Sequence, residues 1–449
     1  MERPNRLLRV NHLIAARENR QTILRLLQQQ GPCSQRQLAL HTRLRASTMS
    51  YIIRDLTKWG FIETSGVIPT RRTGRKEVLL KLDGSRGWTA GIDLDRNFTE
   101  LVIVDAAHVV LAQKRYDMHY DANHFFKAFG REFDQVKKDL NLNEKRCLGL
   151  GVSVAGVVDT ASGMVLKSVP LDLVNHPIGE KFRERFKLPI LVEHNAICGG
   201  FAEKLLGAAR SFEHFLLFLI RPANTAGNFY GMAFYLNGGF YRGAHSSAGE
   251  LDPLLVPPPG QREKPAVDAP GENVEFLRHL TRVIASLANL FDPQAVVLFA
   301  EEPFRRSVSL SDLNEQVQQL LIKVPDRKIS LQWNELRSGA LAYGAGLMQI
   351  HAGMSRMLQR LVGEQVHLEL RLAQQAVETN ADAGMIDQAL MNLVVNARDA
   401  QPHGGTICIG TSEVELDEAA ATQIPQARPG HYATLTVSDT GRGIAPAVL

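Results

Sequence analysis

Between residues 45 and 76 the chain gathers the side chains needed to read and hold a polyanion. Arg45, Ser47, Thr48, Ser50, Tyr51 and Arg54 fall on one face of a helical stretch that starts near Ala46. Short hydroxyls and guanidinium groups near the start of a helix are what contacts to base edges in a major groove require. A second cluster, Arg71, Arg72, Arg75 and Lys76, surrounds Thr73-Gly74 and suits phosphates. Charge agrees with both readings. Residues 1–82 hold 16 Lys+Arg against 5 Asp+Glu, a net of +11, while the whole chain is only +4. The basic charge is therefore concentrated at one end, as phosphate binding demands.

The elements around these residues can be placed from pattern. Ile23, Leu26 and Leu27 recur at helical spacing within Arg20–Gln29, and Gly31-Pro32 stops that helix. Ser34 lies three residues before Gln37, a capping-box spacing that starts a short second helix. A turn at Thr42–Arg45 leads to a third helix over Ala46–Trp59, which buries Met49, Ile52 or Ile53, and Leu56. Gly60 ends it. Phe61–Glu63 and Glu77–Leu82 read as strands flanking the second basic cluster. The whole is a DNA-binding helix-turn-helix followed by a basic wing. The bland alternative is a three-helix bundle with a solvated basic face.

Composition bounds the remainder. With 449 residues and 45% apolar content, two or three globular domains are expected. No apolar run approaches the ~18 residues of a membrane span, and the N-terminus lacks an apolar signal core. Cys33, Cys147, Cys198 and Cys408 are scattered without metal-ligand spacing, so reduced thiols in a cytoplasmic protein are expected.

From Trp88 the pattern alternates between strands and helices. Thr89–Leu94, Thr99–Asp105 and Val109–Lys114 read as an antiparallel three-strand start. Cys147–Val154, Pro189–Val192, Phe215–Ile220, Tyr230–Leu236 and Ala295–Phe299 read as further strands, with helices at Ala196–Leu206 and Asn273–Leu290. Two α/β lobes follow from this order. The proline-rich stretch Val256–Gly271 reads as a surface loop.

Three stretches of residues 20–345 resemble the ROK family of repressors and sugar kinases: Gly151–Leu173, Leu188–Gly207 and Asn237–Leu251. The resemblance implies a two-lobed actin-like ATPase fold with sugar bound in the cleft. It implies that Glu250 stands where the family's Glu accepts bonds from sugar hydroxyls. It also places Asn195 at the position of the kinases' general base, and His194 where the family has Asn. An amide cannot accept a proton at neutral pH, so base catalysis is lost. The first phosphate loop reads Asp93-Leu94-Asp95-Arg96-Asn97 without the family's glycines. The second reads Thr225-Ala226-Gly227-Asn228-Phe229, and the glycine pair near the adenine reads Phe299-Ala300. No catalytic residues are therefore expected. The family's zinc ligands are also missing: Leu251, Asp252 and Pro253 follow Gly249-Glu250, and no cysteine lies between Cys198 and Cys408. Two readings stay open for His194, Asn195 and Glu250, a sugar or sugar-phosphate effector pocket and a scaffold used only for oligomerisation.

After His351 the pattern changes again. Asn392-Leu393-Val394-Val395-Asn396-Ala397-Arg398-Asp399-Ala400 and Asp439-Thr440-Gly441-Arg442-Gly443 resemble the N box and the first glycine box of sensor histidine kinase ATP-binding domains. Strands at Thr406–Thr411 and Tyr432–Val437 lie between them. The resemblance implies Mg-ATP held by Asn392, Asn396, Asp399, Asp439, Gly441 and Gly443. The sequence reaches Leu449 just after that second box, and neither His351 nor His367 has the flanking pattern of a phosphoacceptor. The expectation is a partial domain that binds ATP weakly or not at all.

The expected fold class is multidomain α/β: a winged helix-turn-helix (1–85), a two-lobed actin-like ROK body (86–350) and a partial α/β-sandwich of the histidine-kinase type (351–449). The expected function is a transcriptional regulator, a repressor, that binds operator DNA as a homodimer or higher homo-oligomer, with no zinc and no membrane contact. The rival is an ATP-binding sensor kinase acting through the last segment. A sugar kinase is a weaker third reading.

Overall fold

Local sequence accounts for the first helices. Helix α1 (Asn11–Gln30) is followed by a short strand β1 (Cys33–Ser34), helix α2 (Gln35–Thr42), helix α3 (Ala46–Lys58) and strands β2 (Ile62–Ile68) and β3 (Glu77–Leu82). The computed structural model describes residues 11–68, 77–121, 124–221, 229–250, 272–337, 339–362, 366–371, 390, 393, 397, 400–401, 405–418 and 428–441. It forms two compact units, Met1–Met354 and Ser355–Leu449.

The capping box at α2 is complete. Gln37 N donates to Ser34 Oγ at 3.3 Å, and Ser34 N donates to Gln37 Oε1 at 2.8 Å. The turn before α3 uses Arg43 at φ 55, and Gly60, at φ 70, follows α3. Ile23, Leu27, Leu38, Met49, Ile52, Leu56 and Phe61 are almost completely buried. Each contributes roughly 1.5–3 kcal/mol by leaving water. Ile52, not Ile53, is the fully buried member of that pair. Two features differ from the sequence reading. Helix α1 begins at Asn11, nine residues before Arg20, because Leu13-Ile14-Ala15-Ala16 continue a helix-forming run. Strand β1 pairs with β3 in a sheet of order β1-β3-β2, so Ser34 caps a helix and extends a sheet at once.

The first lobe of the body comprises β4 (Trp88–Leu94), β5 (Thr99–Asp105), β6 (Val110–Tyr116), α4 (Phe125–Asp139), β7 (Cys147–Val154), β8 (Val157–Asp159), β9 (Met164–Ser168), β10 (Leu173–His176), α5 (Ile178–Phe186) and β11 (Ile190–His194). Its sheet runs β11-β7-β4-β5-β6, antiparallel from β4 to β6 and parallel from β4 to β11. Phe125, Phe129 and Phe133 project at helical spacing from α4 and meet Phe182 and Phe186 of α5.

The second lobe comprises α6 (Asn195–Leu206), β12 (Phe215–Arg221), β13 (Phe229–Leu236), β14 (Gly239–Tyr241), α7 (Glu272–Phe291), β15 (Ala295–Ala300), α8 (Glu302–Ser307), α9 (Leu310–Leu320) and β16 (Ser330–Trp333). Its sheet, β14-β13-β12-β15-β16, repeats the mixed plan of the first. The two-lobed arrangement is the one expected.

Helix α10 (Ala340–Val362) closes the body. It runs past residue 350, where the body was expected to end, because Ile350, Met354 and Leu358 stay buried at helical spacing and carry it on to Val362. A methyl group at Gly91 of β4 would overlap the Ala342 carbonyl, and one at Gly151 of β7 the Ala345 carbonyl, so helix and sheet meet backbone to backbone.

In the second unit β17 (Val366–Arg371) lies parallel to β18 (Gly405–Leu416), which pairs antiparallel with β19 (Gly430–Asp439). Strand β17 was not read from the sequence. Leu390, Leu393 and Ala397 are helical.

Candidate nucleic-acid interface and effector pocket

Helix α3 turns its polar residues outward. Arg45, Ser47, Thr48, Ser50, Tyr51 and Arg54 are all exposed, while Met49, Ile52 and Leu56 anchor the opposite face. The period of 3.6 makes this separation, because the buried set recurs every three or four residues. Ser50 Oγ accepts a hydrogen bond from Gln35 Nε2 of α2 at 2.6 Å, which joins the two motif helices at the exposed face. Arg54 lies over the Tyr51 ring at 5.2 Å. Arg71, Arg72, Arg75 and Lys76 lie outside the described residues, between β2 and β3.

Sequence reasoning missed the second layer of this interface. Arg20 of α1 is buried and its Nη2 donates to Asp55 Oδ2 of α3 at 2.5 Å. Its guanidinium also lies 5.3 Å from the Trp59 ring and 5.7 Å from the Tyr51 ring. The only local signal was an arginine on the apolar side of an amphipathic helix.

The expected effector residues converge at the junction of β11 and α6. His194 ends β11, Asn195 opens α6, and both are buried. Glu250 comes from the far side of the 237–250 segment, and its Oε1 lies 3.7 Å from His194 Nε2. That gap is longer than a hydrogen bond and leaves an adjacent hydroxyl room to pair with both groups. Burial lowers the His194 pKa to about 4, so its ring is neutral at pH 7. Its Nδ1 meets no partner among the described residues. A neutral imidazole offers one donor and one acceptor, which matches a hydroxyl.

The neighbouring Glu193 was not foreseen either. It is 1% exposed, and its Oε2 accepts from Arg242 Nε at 3.0 Å and Nη2 at 2.5 Å. Its Oε1 accepts from His194 N at 2.9 Å and Thr160 Oγ1 at 3.1 Å. A charged residue inside the apolar run of β11 was the available signal. Asp93, in the altered first phosphate loop, is also buried and accepts from Ser153 Oγ at 2.6 Å. The second altered loop lies almost wholly outside the described residues. A separate cleft of about 320 Å³ is lined by Glu100, Arg115, Ile220, Phe299, Glu301 and Arg305 among others, with none of the three expected effector residues. Phe299 forms part of its wall.

Elsewhere in the body, His108 and His351 stack with ring centroids 5.6 Å apart, and Phe201 of α6 meets His351 edge-on at 5.1 Å. Burial lowers His108 to about 4. Burial and the charges of His108 and Arg25 lower His351 to about 3. Both nitrogens of His108 and Nε2 of His351 lack partners among the described residues.

In the second unit, Asp439 ends β19 and its Oδ1 accepts from Gly441 N at 2.8 Å. Asn392, Asn396, Asp399 and Gly443 lie outside the described residues. Among the described residues no cluster of three or more His, Cys, Asp or Glu could hold a metal ion, and no helix is long and apolar enough to cross a membrane.

Comparison with known proteins fits this geometry. Residues 89–262 match the ROK family and residues 18–65 match the MarR family. The body is thus similar to the ROK family and the N-terminal motif to the MarR family, and the chain spans about three fifths of the first curated relative it matches. It is 25% identical over 248 residues to a putative xylose repressor of Caldicellulosiruptor sp. (strain Rt8B.4), covering 55% of this chain and 60% of that protein. It is 24% identical over 337 residues to the DNA-binding transcriptional dual regulator NagC of Escherichia coli (strain K12), covering 63% of this chain and 80% of NagC. The fold is shared with a ROK family transcriptional regulator, homologue of the E. coli MLC protein, at a TM-score of 0.61 and 19% identity over 78% of this chain and 99% of that one. A further match is to a different kind of protein. It is 35% identical over 103 residues to the sensor kinase CckA of Brucella abortus (strain 2308), covering 23% of this chain and 11% of CckA.

Proposed function

We propose that the chain is a DNA-binding transcriptional regulator, a repressor, whose ROK body responds to a sugar or sugar phosphate. The observation that carries this reading is the outward polar face of α3 on a capped helix-turn-helix, attached to a body with a half-buried His194–Asn195–Glu250 cluster. Two such motifs on a symmetric homodimer would read two half-sites about one helical turn apart. Arg71, Arg72, Arg75 and Lys76 would hold phosphates, as in the wings of such motifs, and His194, Asn195 and Glu250 would contact the effector. The carbohydrate class comes from the relatives' names, xylose repressor and N-acetylglucosamine repressor.

The body does not act as a sugar kinase in this reading. Asn195 stands at the base position, and Phe299 replaces a glycine beside the nucleotide. The test is capture of the tagged chain on genomic DNA followed by sequencing of the bound fragments, then release by a panel of sugars and sugar phosphates. Recovery of fragments without a shared sequence would sink the proposal.

A second reading rests on the likeness to CckA. The segment after residue 351 would then hold Mg-ATP through Asn392, Asn396, Asp399, Asp439, Gly441 and Gly443, and the chain would be an ATP-gated regulator or sensor kinase.

A further inference from the structure

One buried side chain touches the candidate recognition helix along its C-terminal half and at its cap. Tyr51, Asp55 and Trp59 stand at i, i+4 and i+8, so they form a single stripe along α3. The Arg20 guanidinium meets all three: an ion pair to Asp55 at 2.5 Å, the Trp59 ring at 5.3 Å and the Tyr51 ring at 5.7 Å. Its side chain is 7% exposed and that of Asp55 15%, so the pair is largely removed from solvent. Tyr51 is 49% exposed. One part of it covers Arg20, and the rest faces outward beside Arg54.

We infer that Arg20 is a positioning residue for sequence reading: it fixes the rotation of α3 about its own axis and the aim of Tyr51. A rotation of one residue position is about 100° and would replace the outward set with its neighbours. Three contacts to three successive turns resist that rotation in a way one contact cannot. Arginine suits the task because its planar fork pairs with a carboxylate while its faces stack on rings. Lysine keeps the charge and loses both geometries. Arg20 itself is too buried to meet a phosphate, so its removal acts on discrimination between sequences and not on general attraction to DNA. This inference rests on the DNA-binding reading above.

The test uses the full chain and two duplexes: the one most enriched by the unmutated protein from a random-sequence library, and a scrambled duplex of the same composition. Affinities are measured across salt concentrations. Arg20→Lys is expected to lower the ratio of selected to scrambled affinity at least tenfold. Affinity for the scrambled duplex stays within about twofold, and the slope of log K against log salt is unchanged. A ratio kept within twofold overturns the inference. So does a slope reduced by about one, which would make Arg20 a phosphate contact. If Arg20→Lys binds neither duplex, Asp55→Asn decides. Loss of the ratio with scrambled binding intact supports the inference, and an unchanged ratio overturns it. If the unmutated chain enriches no sequence, the DNA-binding reading falls and this inference with it. Enrichment with an unaffected ratio sinks only the role of Arg20.

Discussion

Glu193 and Arg242, 49 residues apart, form a two-pronged ion pair that ties the end of β11 to the segment carrying Glu250. Glu193 is almost wholly buried, whereas the Arg242 side chain is 36% exposed. Removing the arginine leaves a carboxylate in the interior without its counter-charge. Arg242→Met should therefore destabilise the body by about 2–3 kcal/mol, below the upper range for buried pairs because one partner is partly solvated. Urea unfolding followed through the body's tryptophans measures it. A change under 0.5 kcal/mol, an amount typical of surface substitutions, would remove the pair from the account.

The buried histidines set a pH dependence. His108 and His194 titrate near 4 and His351 near 3 when folded, against an ordinary value of 6.5. Between those limits the unfolded chain binds more protons than the folded one. Stability is thus complete above about pH 6.5 and is lost progressively as pH falls towards 4 and below. Melting temperatures between pH 7.5 and 4 should drop steeply, and His351→Leu should make the drop shallower. A flat profile in the unmutated protein would mean that these rings are charged or solvated.

Tyr51→Ala should weaken binding to the selected DNA site by about 1–3 kcal/mol more than to random DNA, if its exposed edge meets a base. Arg75→Ala should weaken both and lower the salt dependence by about one unit. Equal loss on every sequence for the Tyr51 change would reject α3 as the reading helix.

Sugar phosphorylation should be undetectable, and Asn195→Asp alone should not restore it, because Phe299 and the altered phosphate loops remain. A sugar that raises the melting temperature should lose that effect in Glu250→Ala, since charge-assisted bonds contribute about 1.5–3 kcal/mol each. A panel of sugars without any shift would favour the scaffold reading of this body.

Calorimetry of the full chain with Mg-ATP tests the segment after residue 351. Weak or absent binding is expected. Micromolar affinity that vanishes in Asp439→Ala would put the ATP-gated reading ahead of the plain repressor.

Much of this was legible in the residues. Cys147–Val154 and Thr99–Asp105 are read to the residue because an unbroken apolar run between turn residues admits little else. The polar face of α3 follows from period alone. The pairs Arg20–Asp55 and Glu193–Arg242 were not legible, because contacts 35 and 49 residues apart leave no periodic trace. Strand β1 was missed for a different reason. Two residues after Gly31-Pro32 look like a cap, and only pairing with Leu79 and Leu80 of β3, far along the chain, makes them a strand. The convergence of His194 and Glu250 needed the family likeness, since nothing local marks either as a ligand group.

Helix α6 is a stiff rod that opens beside the candidate effector residues and also meets α1. Its first residue, Asn195, directly follows His194, Phe201 bears on His351, and its surface touches α1. At 1.5 Å per residue it spans roughly 17 Å. Its residues are buried from Asn195 to Leu205 except Phe201, so it cannot bend without opening the core around it. A ligand that tilted it at Asn195 would therefore press on its neighbours along its length, α1 among them. In the regulator proposed above, such a helix would act as a mechanical transmission with a single moving part.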